Sequence, residues 1–428
     1  MRLSSKSQVV TTDVLLLSAA FLAYTGMYAV RKSFLAGQFD SLPALGNFHF
    51  KTLLIISQVL GYMLSKFIGI KVVSEVSGSR RLRMLLGLVG FGLLTLLAFA
   101  WLPVSLKPLA LFLNGLPLGM VFGLVLTYLE GRRHTELLVA GLSATFIFST
   151  GLVKTTGLWL MQQFSVSELM MPFVTGSLFF PVFLLAIWLL HLSPNPNAAD
   201  IVHRVQRTPM NASQRRDFLR RHGMSFAGLV VIYILLTVAR DFRDNFIVEF
   251  WAELDQIQQP ALITLTEIPI AVIVVTICAL GIFIANNRIA FNIGLFATSL
   301  SALLMLLLTY VFQQGWMSPT VWIISSGTSI YLPYILFHCL IFERFIALLR
   351  YPGTVGFLFY VADASGYLIS VAILIIKESV SLSYSWVDFF ISLNQCTAVG
   401  ILIVVSVAVM VMLKQEKHYY IWSESQPA

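Results

Sequence analysis

The sequence predicts an all-α membrane protein whose twelve transmembrane helices form two bundles of six. Of its 428 residues, 58% are hydrophobic and only 11% are charged, and the mean hydropathy is +0.85. Soluble domains contain about 25% charged residues, so lipid must solvate most of this chain. The apolar runs are about 20 residues long, which fits transmembrane helices, whereas β-barrel strands alternate in polarity over about 10 residues.

The twelve elements follow from the hydropathy pattern. Each apolar run is long enough to cross a hydrocarbon layer as a helix. The predicted spans lie near residues 13–36, 52–70, 84–103, 109–129, 137–163, 171–192, 225–250, 260–285, 289–313, 319–342, 353–376 and 385–413.

The distribution of Lys and Arg predicts the orientation of the spans. Outside the spans, most of these residues fall in alternate loops, and the intervening loops contain only Lys51, Lys107 and Lys377. Cytoplasmic loops carry the excess of basic residues, so we expect both termini to be cytoplasmic. The same bias explains the net charge of +8. We therefore expect the protein to associate with a lipid bilayer, and we expect no nucleic acid as a partner.

The longest polar stretch divides the chain into two halves. We expect residues 1–192 to form an N-terminal six-helix bundle, residues 193–224 a basic cytoplasmic linker, and residues 225–428 a C-terminal six-helix bundle with a short tail. The arginines of the linker suit contact with anionic lipid headgroups.

Ionisable residues inside spans are costly, so each one suggests a function. In the first span Tyr24, Tyr28 and Arg31 share one helix face. The second span contains Lys66, and the fifth contains Lys154. Snorkelling to the nearer membrane surface is the alternative for Arg31, Lys66 and the neighbouring Lys32.

The C-terminal half also carries charges within its spans. The acidic and basic candidates are Arg240, Asp241, Arg243 and Asp244 in the seventh span, Glu267 in the eighth and Asp363 in the eleventh. Arg240 and Asp244 are spaced for an i,i+4 pair, which would make part of this cluster structural. The carboxylates are candidates for proton coupling or for counter-charges. For His338, a packed and hydrogen-bonded histidine is favoured over a proton carrier.

The basic residues of the first, second, fifth and seventh spans predict an anion site if they face one cavity. Attraction to an anion is strong in a low-dielectric interior, and Arg offers a planar fork for carboxylate or phosphate oxygens. An organic anion is the ligand that this pattern favours, and phosphate esters fit best.

The first two spans resemble a known family. Tyr24, Tyr28 and the run Val30-Arg31-Lys32-Ser33-Phe34 are similar to the first helix of the organophosphate:phosphate antiporters of the major facilitator superfamily, which include the glycerol-3-phosphate and hexose-phosphate transporters. The stretch Ser65-Lys66-Phe67-Ile68 resembles that family's second helix, and residues 73–77 resemble its following loop. The resemblance covers about 60 residues, and beyond them it rests on hydropathy and Arg240.

This resemblance implies the major facilitator fold, with two parallel halves around a mid-membrane site. It makes Arg31 and Arg240 the paired phosphate ligands, with Lys66, Tyr24 and Tyr28 lining the cavity. The chain departs from the family in several places. Glu75 and Val76 replace an Asp and a basic residue, the family's fifth-helix histidine has no counterpart, and residues 240–244 differ from the family's seventh helix.

The function expected from the sequence is secondary transport of a small organic anion. One form of this transport would be the exchange of a phosphate ester for phosphate. Two alternatives are a proton-coupled symporter of another solute and a non-transporting membrane sensor on the same fold. No motif of a metalloprotease, serine hydrolase or P-loop enzyme occurs, so we expect no enzyme, no metal and no cofactor. We expect a monomer in the inner (plasma) membrane of a cell.

Overall fold

The computed structural model describes residues 2–43, 48–76, 78–129, 135–194, 212–254, 259–282, 284–349, 351, 355–379 and 385–424. These residues contain fifteen α-helices. The helices are α1 (Arg2–Lys32), α2 (Phe50–Glu75), α3 (Gly78–Trp101), α4 (Lys107–Leu118), α5 (Val121–Leu129), α6 (Thr135–Ser143), α7 (Thr145–Phe164), α8 (Met171–Leu192), α9 (Ala212–Glu253), α10 (Ala261–Ile282), α11 (Asn287–Gln313), α12 (Pro319–Leu336), α13 (Phe342–Leu349), α14 (Val355–Ser379) and α15 (Trp386–Glu424).

Among the described residues, twelve helical segments are long and apolar enough to cross a membrane, which confirms the predicted fold class. Their bounds lie close to the predicted ones. The spans are Asp13–Ala36, Phe50–Gly69, Arg80–Trp101, Val104–Leu129, Leu137–Phe164, Met171–Leu192, Ser213–Glu253, Ala261–Gly281, Asn287–Gln313, Pro319–Leu349, Gly356–Ser379 and Trp386–Val407.

The largest difference from the expected bounds lies at the seventh span. Its helix begins at Ala212, so the last part of the predicted linker is a helical extension of this span. Residues 195–211 of that linker lie outside the described residues. The extension carries an exposed i,i+4 ion pair between Asp217 and Arg221. Polar residues on both sides of the helix explain why hydropathy alone did not assign it to the span.

Local sequence explains where several helices begin. The ninth span starts after Asn286, whose side chain accepts hydrogen bonds from the backbone amides of Arg288 (2.9 Å) and Ile289 (3.2 Å). The tenth starts after Ser318, which accepts from Val321 N–H, with Pro319 at the first helical position. Such caps satisfy amides that have no partner within the helix.

The surface of the bundle is apolar and its interior contains the charged side chains. Leu94, Val272, Leu280 and Phe296 are each at least 60% exposed. By contrast, Arg31 is only 2% exposed. This distribution is opposite to that of a soluble protein and matches a protein surrounded by lipid.

The second and fourth spans pack with their backbones in close contact at two glycines. A Cβ on Gly115 would lie 2.1 Å from the carbonyl oxygen of Gln58, and a Cβ on Gly61 would lie 2.1 Å from that of Phe112. Small residues let membrane helices approach in this way.

Replacing Gly115 by Ala is therefore expected to lower the melting temperature of the purified protein. The extra methyl group meets backbone rather than a movable side chain, and overpacking of this kind costs about 1–3 kcal/mol. Gly87→Ala is the matched control, because no atom lies within 4 Å of its added Cβ. That change should be neutral or stabilising by about 0.5–1 kcal/mol. Equal melting temperatures of the two variants would contradict the packing argument.

Two spans depart from regular α-helix. The seventh is kinked at Phe246, whose φ of −118° and ψ of 16° are not helical. The tenth contains a π-helix at Phe337–Ile341, directly after Pro333 has interrupted the hydrogen bonding of α12. Both irregularities lie next to charged or titratable residues of the interior.

Where the second span begins, an ion pair and hydrogen bonds join helices of the two sequence halves. We call this region the Lys51 end. Lys51 donates to Glu249 and also to the carbonyl of Leu35 (2.9 Å). Glu378 accepts from Thr52 Oγ1 (3.0 Å) and from the amide of His49 (3.1 Å). The side chains of Lys51 and Glu249 are less than 10% exposed, so this end of the bundle is closed.

Candidate functional site

A narrow cavity lies among spans from both sequence halves. Its lining includes most of the predicted ligand residues together with several aromatic residues that were not predicted. It is formed by Tyr24, Tyr28, Tyr62, Lys66, Phe122, Phe146, Arg240, Tyr334, His338, Phe359, Asp363 and Tyr367. Nine of these twelve side chains are aromatic, and the other three are charged.

Arg31 is buried beside this cavity, and no carboxylate of the described residues forms an ion pair with it. Its guanidinium carbon lies 3.4 Å from the centre of the Tyr62 ring, a cation–π contact. Its Nε and Nη2 atoms are buried without a hydrogen-bond partner. Unpaired donors on a buried guanidinium are costly, so they point to a missing acceptor. The Tyr62 ring lines the cavity and covers this guanidinium.

The backbone behind Arg31 is held by two amide side chains. Gln58 Nε2 donates to the carbonyl of Arg31 (2.6 Å) and to Asn114 Oδ1 (2.8 Å). Asn114 Nδ2 in turn donates to the carbonyls of Gly92 (2.9 Å) and Val30 (3.3 Å). Four spans are thus joined by buried hydrogen bonds, which fixes the position of Arg31 in the bundle.

Arg240 approaches the same tyrosines from the other half. Its Nη2 donates to the hydroxyl of Tyr367 (3.3 Å), and its guanidinium carbon lies 4.5 Å from the centre of the Tyr334 ring. The ring of Tyr367 contacts that of Tyr62 at 5.4 Å between centroids. Arg31 and Arg240 therefore contact the two members of one tyrosine pair. Asp241 lies 3.6 Å from Arg240 Nη2, and Arg240 Nε has no partner.

Lys66 and Asp363 form an ion pair across the cavity, between the second and eleventh spans. The second carboxylate oxygen of Asp363 accepts from the Tyr233 hydroxyl (3.1 Å). That hydroxyl also lies 3.0 Å from His338 Nε2 and 3.2 Å from the Tyr334 hydroxyl. Asp363 is thus a counter-charge within a polar network, and His338 is packed and hydrogen-bonded.

A second group of charges surrounds Asp244, between this cavity and the Lys51 end. We call it the Asp244 cluster, and its members are Lys32, Thr150, Lys154, Asp244 and Asn245. Lys32 Nζ lies 3.0 Å from Asp244 Oδ2 and donates to Asn245 Oδ1 (2.8 Å). Lys154 Nζ lies 2.6 Å from Asp244 Oδ1, and Thr150 donates to the same oxygen. One carboxylate of the C-terminal half therefore binds two ammonium groups of the N-terminal half.

Arg243 and Glu267 form a further buried ion pair within the C-terminal half, at 2.7 Å. Arg243 Nη2 also points to the carbonyl of Ile323 (3.4 Å), and its guanidinium carbon lies 5.6 Å from the Tyr331 ring centre. Glu267 is therefore placed as a counter-charge to Arg243 rather than in the cavity.

The structure brings together most, but not all, of the predicted site residues. Those that line the cavity are Tyr24, Tyr28, Lys66, Arg240 and Asp363. Arg31 adjoins it through Tyr62, whereas Lys154 lies in the Asp244 cluster. None of Arg31, Lys32 and Lys66 snorkels to a surface, since each is at most 6% exposed.

The expected i,i+4 pair between Arg240 and Asp244 does not form. Asp244 faces Lys32 and Lys154 instead, and Asp241 accepts a hydrogen bond from Ser370 (2.8 Å). Pairs between helices replace the pair within one helix because the carboxylate points toward the other half of the bundle.

Sequence reasoning missed the aromatic lining, although part of it was detectable. Tyr62 precedes Lys66 by four residues and Tyr367 follows Asp363 by four, so each tyrosine shares a helix face with an intramembrane charge. Phe359 precedes Asp363 by four residues and was detectable in the same way. Phe122 and Phe146 have no charged residue at that spacing, and phenylalanine is common throughout the apolar spans.

Solved structures that are similar to this chain include two transporters. A D-xylose-proton symporter matches with a TM-score of 0.60 and 14% identity, over 92% of this chain and 96% of its own. The human organic anion transporter MFSD10 (TETRAN) matches with a TM-score of 0.54 and 17% identity, over 94% of this chain and 99% of its own. The chain therefore has the fold of these two transporters, and its twelve apolar helices make it a multi-pass membrane protein.

Sequence comparison gives a narrower result. A search of curated proteins finds no match. A family model matches residues 33–416, which include the last four residues of the first span and all of the other eleven spans. The chain therefore belongs to the family of unknown function DUF5690.

Proposed function

We propose that this protein is a secondary active transporter of a small organic anion. The observation that carries the proposal is the buried guanidinium of Arg31, whose Nε and Nη2 have no acceptor and which lies beside a cavity lined by Arg240 and Lys66. An anion would supply the missing acceptor and would offset the cost of burying these cations. The fold shared with transporters supports movement of this ligand across the membrane.

Transport would proceed by alternating access. The N-terminal bundle, residues 1–192, would rock against residues 225–428 around the cavity. With both termini in the cytoplasm, the Lys51 end is the outer one, and the described conformation is closed on that side. Binding at Arg31 requires the Tyr62 ring to turn aside, which exposes Nε and Nη2 to the anion.

The substrate pair implied by the family resemblance is a phosphate ester exchanged for phosphate. The test is uptake of labelled phosphate, phosphate esters and organic acids into proteoliposomes that contain the purified protein. We expect saturable uptake of at least one anion, stimulated by an anion loaded inside. Binding without flux would instead identify a membrane sensor, and neither binding nor flux of any anion would refute the proposal.

A proton-coupled symporter is the second candidate, and the network around Asp363 favours it. This carboxylate is 1% exposed and contacts Lys66 and Tyr233, and Tyr233 contacts His338. A proton on Asp363 would release Lys66 to bind substrate.

Under this second mechanism, Asp363→Asn is expected to abolish the stimulation of uptake by an inward proton gradient. Exchange of internal for external substrate should remain, because it needs no net proton movement. The measurement compares uptake with and without a pH gradient in the same vesicles. Gradient-stimulated uptake by the variant at the wild-type level would exclude Asp363 as the proton carrier.

A further inference from the structure

The lining of the cavity contains charged side chains and a group of packed rings, which meet where Lys66 Nζ lies 5.7 Å from the centre of the Phe359 ring. The charged side chains are Lys66, Arg240 and Asp363, with Tyr62 and Tyr367 beside them. The packed rings are Phe122, Phe146, His338 and Phe359, which we call the four-ring cluster. Its members lie on the fourth, fifth, tenth and eleventh spans, so they come from both sequence halves.

The four-ring cluster is a closed circuit of ring contacts. Phe122 contacts Phe146 at 5.5 Å between centroids, and Phe146 contacts His338 at 5.4 Å. His338 contacts Phe359 at 4.4 Å, and Phe359 contacts Phe122 at 6.4 Å in a stacked geometry. When the halves separate, each ring loses a partner from the other half and presents an aromatic face to the cavity.

The polar groups that the lining offers to a polyhydroxylated molecule are mainly the hydroxyls of Tyr24, Tyr28, Tyr62, Tyr334 and Tyr367. Among the described residues, no Asn, Gln, Ser or Thr lines the cavity, and its one carboxylate, Asp363, is occupied by Lys66 and Tyr233. The hydroxyls of Tyr334 and Tyr367 are bonded to Tyr233 and Arg240. Sugar hydroxyls that face the four-ring cluster, whose three phenylalanine side chains have no polar atoms, would lose their water partners without replacement, which is unfavourable.

We propose that the substrate is an organic anion with an aromatic ring: its oxyanion faces Arg31 and Arg240, and its ring packs against the four-ring cluster. This inference rests on the proposed function and names the chemical class of its substrate. Aromatic pairs gain stability beyond the burial of their area, so a flat aromatic body suits these faces better than an aliphatic one.

The test holds the anionic group constant and changes the body attached to it. Phenyl phosphate, cyclohexyl phosphate and glucose 6-phosphate are compared as ligands of the purified full-length protein by titration calorimetry. We expect phenyl phosphate to bind about threefold to tenfold more tightly than cyclohexyl phosphate, which has a similar size but no aromatic face. Glucose 6-phosphate should bind at least about tenfold more weakly than phenyl phosphate, because hydroxyls that face the four-ring cluster are buried unpaired.

Variants separate recognition of the ring from a merely structural role. Phe359→Leu and Phe146→Leu should reduce the preference for phenyl over cyclohexyl phosphate to about onefold to twofold. Phe296→Leu is the matched control, because Phe296 is 68% exposed on the lipid-facing surface, and it should leave the preference unchanged. If the Phe359 and Phe146 variants weaken both ligands equally, the cluster only closes the cavity and the inference is wrong.

The remaining outcomes are also distinct. Equal or tighter binding of glucose 6-phosphate by the wild-type protein would overturn the inference and leave the proposed function standing. Failure to bind or transport any of the three ligands, phosphate or simple carboxylates would refute the proposed function itself. Should either variant fail to fold, the wild-type ratio of the three affinities still decides the question.

Discussion

Replacing Asp244 by Asn is expected to open the Lys51 end of the bundle. Asp244 is the shared partner of Lys32 and Lys154, whose side chains are 3% and 1% exposed. Breaking a buried ion pair by removing one partner costs about 3–5 kcal/mol, because the remaining charge stays buried. Separation of the halves would let water reach both ammonium groups and would relieve this cost.

The expected change in the equilibrium is large. A difference of this size corresponds to about two to four powers of ten in the ratio of closed to open molecules. Spin labels at Asp40→Cys and Asp388→Cys, two exposed positions near the Lys51 end, would report it in a background without the three native cysteines. We expect a longer distance between the labels in the variant than in the parent protein.

The control for this experiment is Asp217→Asn. Asp217 also pairs with a basic residue, but both partners are more than 40% exposed. Exposed pairs of this kind contribute about 0.3–0.5 kcal/mol, so the label distance should not change. An unchanged distance in the Asp244 variant as well would show that the Asp244 cluster does not hold this end closed.

Loss of the two cavity arginines is expected to abolish anion transport without unfolding the protein. Arg31→Gln removes a buried cation that has no ion-pair partner among the described residues, so it leaves none of their carboxylates uncompensated. Arg240→Gln removes the second cation, and Asp241, which lies 3.6 Å from Arg240 Nη2, keeps its hydrogen bond from Ser370. A hydrogen bond to a charged group contributes about 1.5–3 kcal/mol, so each change should lower anion affinity about tenfold to a hundredfold or more. Uptake into proteoliposomes measures the loss.

The guanidinium shape should matter as much as its charge. Arg31→Lys keeps the charge but cannot form a two-pronged contact with an oxyanion, and we expect it to recover little of the lost uptake. Arg83→Gln serves as the control, because Arg83 is exposed at the start of the third span. Wild-type uptake by both Arg31→Gln and Arg240→Gln would show that the anion binds elsewhere.

The twelve helices were predictable because hydropathy reports directly on what lipid requires. An apolar run of about 20 residues has few alternatives to a spanning helix, and its backbone must satisfy its own hydrogen bonds. The intramembrane charges were detectable for the same reason. Arg31, Lys66, Arg240 and Asp363 stand out in apolar sequence, and the structure places them in or beside one cavity.

The partners of those charges could not be predicted from one sequence. Lys32 contacts Asn245, which is 213 residues away along the chain, and only the packing of the two halves brings them together. Snorkelling of Lys32 was an equally sound expectation, since a long side chain near a helix end can reach water. Pairing with Asp244 prevails because this face of the helix is covered by the seventh span.

The π-helix in the tenth span changes the rotational phase of everything that follows it. Each residue of an α-helix turns the chain by about 100°, and a π turn accommodates one extra residue. Phe342 and Phe345 therefore face the interior, where they are 0% and 2% exposed, while Leu348 is 38% exposed. Deleting one residue between Phe337 and Ile341 would rotate this segment about its axis and turn these two rings toward the acyl chains.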